Sequence, residues 1–342
     1  MINLRNDYCS IAHSDILNEL LKCNNKTYVG YGLDEETEIA KELIKKEIGN
    51  ENADIHFLPG GTVTNKVFIS HILKPYEAVI SCETGHINVH ETGTIEQSGH
   101  KVLTVPSVNG KALAEDIEKI IKIHADEHMV RPKIVYISNP TELGTIYNKK
   151  ELTSISNICK KYGLYLYVDG ARLATALTST NNDMNIKEFT SLVDGYYIGG
   201  TKNGLVLGEA LVLLNNDFKK DIRYSIKHFG GMYCKGFVTG IQFKTLFSNN
   251  LFYNIGVTQN KLAQKLYNGL SDIGVEFLFK QDTNQIFPIF KNECINELKE
   301  SLMFEIWEVG KTHTVIRFVT HYNLTEEDID ETISIIKGII KK

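Results

Sequence analysis

A carboxylate at position 169 and an amine at position 202 are the residue types with the most chemical promise in this sequence. Asp169 ends the run Tyr165-Leu166-Tyr167-Val168, and Lys202 follows Tyr196-Tyr197-Ile198 across Gly199-Gly200-Thr201. Both apolar runs have the length and β-rich content of buried strands. Open α/β sheets bind ligands beyond the carboxyl ends of their strands. There an amine can condense with an aldehyde, and a carboxylate can keep a pyridine nitrogen protonated. Pyridoxal phosphate is the cofactor that calls for both. Taken singly, Asp169 could equally cap a helix beginning at Ala171-Arg172, and Lys202 could be a solvated surface lysine. The flanking glycines set Lys202 apart, because they permit a sharp turn and close approach of a ligand. Thr201 adds a hydroxyl for a phosphate.

Other residues could serve the same chemistry. Phe57-Leu58-Pro59-Gly60-Gly61-Thr62 reads as a strand, a glycine loop and a helix start. Backbone N–H groups at a helix N-terminus favour a phosphate. Neither the Walker order nor a dinucleotide GxGxxG is present, and a plain helix cap would look the same. His86 follows the second strand, where its ring could stack on a flat cofactor or act as a base. His86 and His90 have the spacing of a metal-binding pair, but the HExxH order is missing and no metal is expected. His90 reads as a polar loop histidine. Arg172 and Arg317 could each grip a carboxylate through two parallel hydrogen bonds, or be structural ion-pair partners.

The elements that must position these residues alternate from residue 54 onward. Strands are expected at 54–58, 78–81, 101–105, 133–138, 165–168, 195–198 and 209–214, with helices over 64–73, 113–124 and 150–162. Such alternation means a mostly parallel seven-stranded sheet, an α/β class. The last connection is too short for a parallel crossover, so 209–214 is expected to run antiparallel. Upstream, Ser14-Asp15 can start a short helix, and Asp34 looks like the cap of another. Beyond 215 a basic helix-prone segment precedes a long helix over 239–270, which could break near Asn249-Asn250. Short strands at 276–279, 286–290, 303–309 and 314–320, a helix at 295–301, and a last helix after a Thr325-x-x-Asp328 capping box complete a small α+β unit. The chain divides accordingly into a large unit over 1–240, with an arm over about 1–30, and a small unit over 241–342.

Composition narrows the class. With 42% hydrophobic and 23% charged residues and a net charge of −5, the chain offers nothing to a nucleic-acid backbone. The six cysteines have no CxxC spacing, which fits a reducing cytoplasm better than a disulfide framework. No run approaches the length of a membrane span.

Together the motifs LRNDY (4–8), YGLDEET (31–37), HFLPGGTVTN (56–65), TGHINVHETG (84–93), ISNPTELGTIY (137–147), YVDGARL (167–173), YIGGTKNG (197–204) and IRFVTHY (316–322) resemble the fold-type I pyridoxal-phosphate enzymes. More closely they resemble the threonine aldolase and β-eliminating lyase family. The resemblance implies that Lys202 is the Schiff-base lysine, Asp169 the ring-nitrogen partner and His86 the stacking residue. Gly60, Gly61, Thr62 and Thr201 would hold the phosphate. Arg172 would contact the cofactor's 3-oxygen side or the substrate carboxylate, and Arg317 with Asn6 would bind that carboxylate. It implies a homo-oligomer with shared sites, in which Tyr31 and the segment around Lys227 serve a neighbouring subunit. The implied reaction is aldol cleavage of threonine, allo-threonine and related β-hydroxy amino acids, with His86 or a water it orients as base. β-Elimination or transamination on the same scaffold is the alternative. Arg5-Asn6-Asp7, where serine often replaces Asn6, and Thr201-Lys202-Asn203-Gly204, where Ser-Lys-Gly is commoner, mark a divergent branch.

Overall fold

The computed structural model describes residues 1–341; Lys342, the end of the expected small unit, lies outside the described residues. Seven strands form one sheet in the order Asp54–Leu58, Glu209–Leu213, Gly195–Gly199, Tyr165–Gly170, Arg131–Ser138, Glu77–Cys82 and Lys101–Val105. All pairings are parallel except the two made by Glu209–Leu213. That strand runs antiparallel because the connection before it is too short to cross over. Glu77–Cys82, Gly195–Gly199 and Glu209–Leu213 are buried along their whole lengths, which explains why they read as continuous apolar runs.

The helices form where local signals place them. The Asp34 carboxylate accepts from the Thr37 N–H at 2.9 Å, and Gly49 ends that helix in the left-handed conformation. Asn148 with Glu151, and Thr325 with Asp328, make capping boxes. The helix expected from residue 64 starts three residues earlier, as Gly61–Ile72, so Gly61 and Thr62 belong to its first turn. The expected long helix is two helices, Phe237–Leu246 and Leu251–Asp272. Asn249 and Asn250 between them have φ of 51° and 62°, a region Asn tolerates better than most residues. The strand expected at 303–309 is also divided. Leu302–Met303 pairs with Ile2–Asn3, whereas Glu305–Val309 pairs with His313–Val319.

Alternation along the strands sorts the core. Val168, Ile198 and Val212 face one helical layer. Tyr136, Tyr167, Tyr197 and Leu211 face the other, where Phe68 of Gly61–Ile72 packs. Asp169 is two residues beyond Tyr167 and so shares the tyrosine face. A second core gathers Leu262, Leu266, Leu270, Ile316, Phe318 and Ile329. Helix Leu251–Asp272 links the two, with Phe252 and Ile255 in the sheet's core and Leu262 to Leu270 in the smaller one. Leu4 is buried in the smaller core, so the N-terminal arm begins there before it passes the sheet.

Candidate active site

The parallel strands and Asp54–Leu58 all deliver their carboxyl ends to one edge of the sheet. The chain leaves Glu77–Cys82 for its neighbour on one side and later returns to its other side with Arg131–Ser138. The order therefore reverses next to the turn that carries His86, the place where open α/β sheets leave a crevice.

Asp169 is buried at the centre of this edge. Its Oδ2 accepts from Tyr136 Oη at 2.7 Å and Asn65 Nδ2 at 2.9 Å, and its Oδ1 from the Ala171 N–H at 3.0 Å. Burial opposes its charge, yet His86, Tyr197, Asn65 and Tyr136 outweigh burial and hold the carboxyl below its ordinary range. A buried carboxylate kept ionised in this way is suited to a cationic ring nitrogen.

Lys202 lies in the loop past Gly199, with its Nζ 5.9 Å from the centroid of the Tyr8 ring. Burial, and then Arg172, push its pKa below the usual lysine value, against the pull of Asp7, Asp169 and Glu209. A depressed pKa makes more of the free amine available as a nucleophile. The loop is closed by N–H groups of Gly200 and Thr201, both donating to the Gly208 carbonyl at 3.1 Å. A Cβ on Gly200 would stand 2.5 Å from that oxygen, so the turn needs glycine there.

Gly60 caps helix Gly61–Ile72 with extended backbone and without a side-chain acceptor for the first-turn N–H groups. A Cβ on Gly60 would meet nothing within 4 Å, whereas one on Gly61 would lie 2.8 Å from Tyr197 Oη. Open space over an uncapped helix start fits a phosphate. The Thr201 hydroxyl accepts from the Gly208 N–H at 3.1 Å. The residues present thus fit the cofactor expected from the sequence: an amine, an anionic ring partner and a phosphate cradle.

His86 is fixed by acidic neighbours. Its Nδ1 lies 2.8 Å from Glu91 Oε1, and its backbone N–H donates to Glu142 Oε1 at 2.9 Å. Burial works against its charge, but Glu91 and Asp169 prevail and hold the imidazole above its ordinary pKa. Glu91 also accepts from Asn65 Nδ2 at 2.8 Å, and the same amide nitrogen reaches Asp169. A chain of polar contacts therefore runs from His86 through Glu91 and Asn65 to Asp169.

The two arginines differ. Arg172 is engaged: its Nε and Nη2 donate to the two oxygens of Asp7 at 2.6 and 3.0 Å, and Asn284 donates to the same carboxylate at 3.0 Å. Arg317 Nε is buried with no acceptor, and the guanidinium lies 5.6 Å from the Trp307 ring. Arg317, Tyr8, His90 and Trp307 line a cavity of about 570 Å³. Arg317 is half-buried, and an unmet buried N–H donor beside a cavity suits an anion. Asn6 sits beside Asp7 and Tyr8, its Oδ1 accepting from the Tyr8 N–H at 3.2 Å.

Tyr31 stands apart within a single chain. It is exposed, with φ of 63°, under Lys227 and bonded through its carbonyl to Arg223. Sequence reading did not find Asn65, Glu91, Tyr136 or Asp7. Three of them lie inside the quoted motifs, but their partners are as far as 165 residues away.

The profile of the β-eliminating lyase family matches residues 4–293. The chain belongs to that family. Within it, the chain is 30% identical over 322 residues to the low specificity L-threonine aldolase of Pseudomonas sp. strain NCIMB 10558, covering 93% of this chain and 92% of that one. A solved Leishmania major threonine aldolase superposes with a TM-score of 0.98 at 41% identity, over 99% of this chain and 100% of the other. A serine palmitoyltransferase of S. paucimobilis, solved with bound PLP, gives a TM-score of 0.75 at 15% identity over 99% and 87%, a likeness of fold alone. The family's fold, that of the fold-type I enzymes, is thus the one seen here, with its mostly parallel sheet and smaller antiparallel one.

Proposed function

We propose that this β-eliminating lyase family member is a pyridoxal-phosphate-dependent aldehyde-lyase that cleaves L-threonine, L-allo-threonine and related β-hydroxy amino acids to glycine and an aldehyde. One observation carries the reading: a pKa-depressed buried amine, Lys202, feels the ionised buried carboxylate of Asp169, and both Lys202 and Arg317, whose Nε lacks an acceptor, feel Arg172 and Asp7. The names of the relatives favour aldol cleavage over β-elimination or transamination.

Bound here, pyridoxal phosphate supplies a π-system that accepts the electron pair released at the substrate's Cα. Lys202, the buried amine with the lowered pKa, would hold the cofactor through its aldehyde. Asp169, kept anionic by Tyr136, Asn65 and the Ala171 N–H, holds the proton on the ring nitrogen. His86, anchored by Glu91, covers the ring face. Gly60, Gly61 and Thr62 would hold the phosphate, beside a Thr201 whose hydroxyl is donated to Glu209, and Arg172, itself fixed by Asp7, would face the 3-oxygen side. Arg317, with Asn6, grips the substrate carboxylate. That grip would orient the bond to be broken relative to the cofactor.

The large unit over 1–240 is read as the cofactor unit and 241–342 as the cover that brings Arg317. A homo-oligomer, a tetramer by preference, would place Tyr31 and Lys227 at a neighbour's site. Exposed Ile11, Leu21, Val29 and Leu33 near the arm support such a contact. Six free cysteines support a cytoplasmic setting, and no helix among the described residues is long and apolar enough to cross a membrane.

The test is a spectrum and a product assay. Protein mixed with pyridoxal phosphate should turn yellow, and borohydride should fix the label on Lys202. L-threonine should then yield acetaldehyde and glycine without ammonia. Failure to take up the cofactor, or ammonia with a keto acid as the products, would overturn the reading.

A further inference from the structure

Two imidazoles reach the site from one turn, and they are not equivalent. The Nδ1 of His86 is taken by Glu91. His90, four residues on, has its ring centroid 5.5 Å from that of His86 and is tilted 52° to it. Neither ring nitrogen of His90 has a hydrogen-bond partner among the described residues, and the side chain lines the cavity that holds Arg317. Resting on the aldol-cleavage reading above, we propose that His90 is the base that takes the substrate's β-hydroxyl proton.

The placement fits the substrate's shape. Arg317 and His90 line the same cavity, so a substrate whose carboxylate is held by Arg317 would have its β-hydroxyl in the space that His90 borders. His90 takes the hydroxyl proton, and the O–H pair becomes the second C–O bond of the aldehyde. The Cα–Cβ electron pair is left at Cα, for which the cofactor would supply the electron sink, and a proton taken up at Cα completes glycine. The proton count is unchanged overall.

The charges around His90 keep it ready for this role. His86 stands on its own turn and Lys202 on the loop past the sheet. Arg317 and Glu305 belong to the small-unit strands, Glu83 starts the turn, and Tyr8 belongs to the arm. Burial, then His86, Arg317 and Lys202, hold its pKa below the ordinary imidazole value. His86 is held above it. Of the two, His90 is therefore the imidazole more readily left neutral to accept a proton.

The experiment uses the holoenzyme and the apo protein with His90→Asn and His90→Phe. His90 is exposed and makes no side-chain hydrogen bond, so both variants should fold. For L-threonine cleavage, kcat should fall about 10²- to 10⁴-fold with KM little changed, and the acid limb of the kcat/KM profile should vanish. Exchange of the α-protons of glycine in D2O, which needs no β-hydroxyl, should continue at the wild-type rate, as should cofactor uptake. In the apo protein, proton NMR should show the resonance missing from His90→Asn titrating below that of His86. Variants that cleave threonine at the wild-type rate would overturn the inference. So would variants that lose glycine exchange together with cleavage, since His90 would then act structurally. Wild-type protein that exchanges glycine protons but cleaves no threonine would overturn the proposed function itself.

Discussion

Asp7→Asn probes the contact that holds the N-terminal arm over the site. The Asp7 side chain is fully buried and that of Arg172 is 12% exposed, and two hydrogen bonds join them. Asparagine can accept at one oxygen only, and its amide turns a donor toward a guanidinium that is all donors. The variant thus removes a charge and leaves Arg172 buried without one. Breaking a buried ion pair from one side costs about 3–5 kcal/mol. If the arm lifts away and lets water reach Arg172, the loss shrinks toward the roughly 1.5–3 kcal/mol of a charged hydrogen bond. Urea unfolding of the apo protein, followed by circular dichroism and by the fluorescence of Trp307, the single tryptophan, reads both outcomes. Trp307 and Tyr8 line the same cavity, so lifting of the arm would change the emission of the folded state. The double variant Asp7→Asn/Arg172→Met should be less destabilised than the sum of the single variants, because it leaves no orphaned charge. The Asp7 carboxyl is held below its ordinary pKa by Arg172 and Lys202 against burial. Its contribution is therefore present above the unfolded carboxyl pKa and is lost as pH falls through the folded one, and Asp7→Asn should flatten that acid limb. A single-variant loss under about 1 kcal/mol with unchanged Trp307 emission, or strict additivity in the double variant, would refute the reasoning.

Three further outcomes are expected. Gly60→Ala should leave the apo melting temperature unchanged, because its methyl meets nothing within 4 Å, yet cut cofactor affinity at least about tenfold by entering the phosphate space; equal affinity by titration would count against the cradle. Arg317→Met should raise KM for L-threonine roughly ten- to a hundredfold, the worth of a charged hydrogen bond, while cofactor uptake stays intact; an unchanged KM would remove the carboxylate clamp. Glu209, buried and held by the Gly200 N–H and the Thr201 hydroxyl, has its pKa pushed up to about 7 chiefly by burial. Since this lies above the ordinary 4.5, the stability it lends is complete below that value and declines as pH rises through about 7. Apo melting curves should therefore slope less between those limits in Glu209→Gln than in the wild type.

Residues near in sequence carried what could be read without coordinates. A run such as Tyr165 to Asp169 encodes strand, end and carboxylate together, because backbone periodicity and capping act over a few residues. The reversed direction of Glu209–Leu213 followed from the length of one connection. The helix break at Asn249-Asn250 was legible in the paired asparagines, whereas Phe304 divides a strand through a local backbone choice that alternation does not record. What tertiary structure alone decided is which charges meet. Asp7 reaches Arg172 across 165 positions, and Asn65 joins Glu91 to Asp169 across 26 and 104. Two histidines four residues apart look alike in the sequence, yet one is bonded to a buried glutamate and the other opens onto a cavity. Their difference comes from the packing of distant segments, and a charge's protonation follows its neighbours in space rather than its neighbours in the chain.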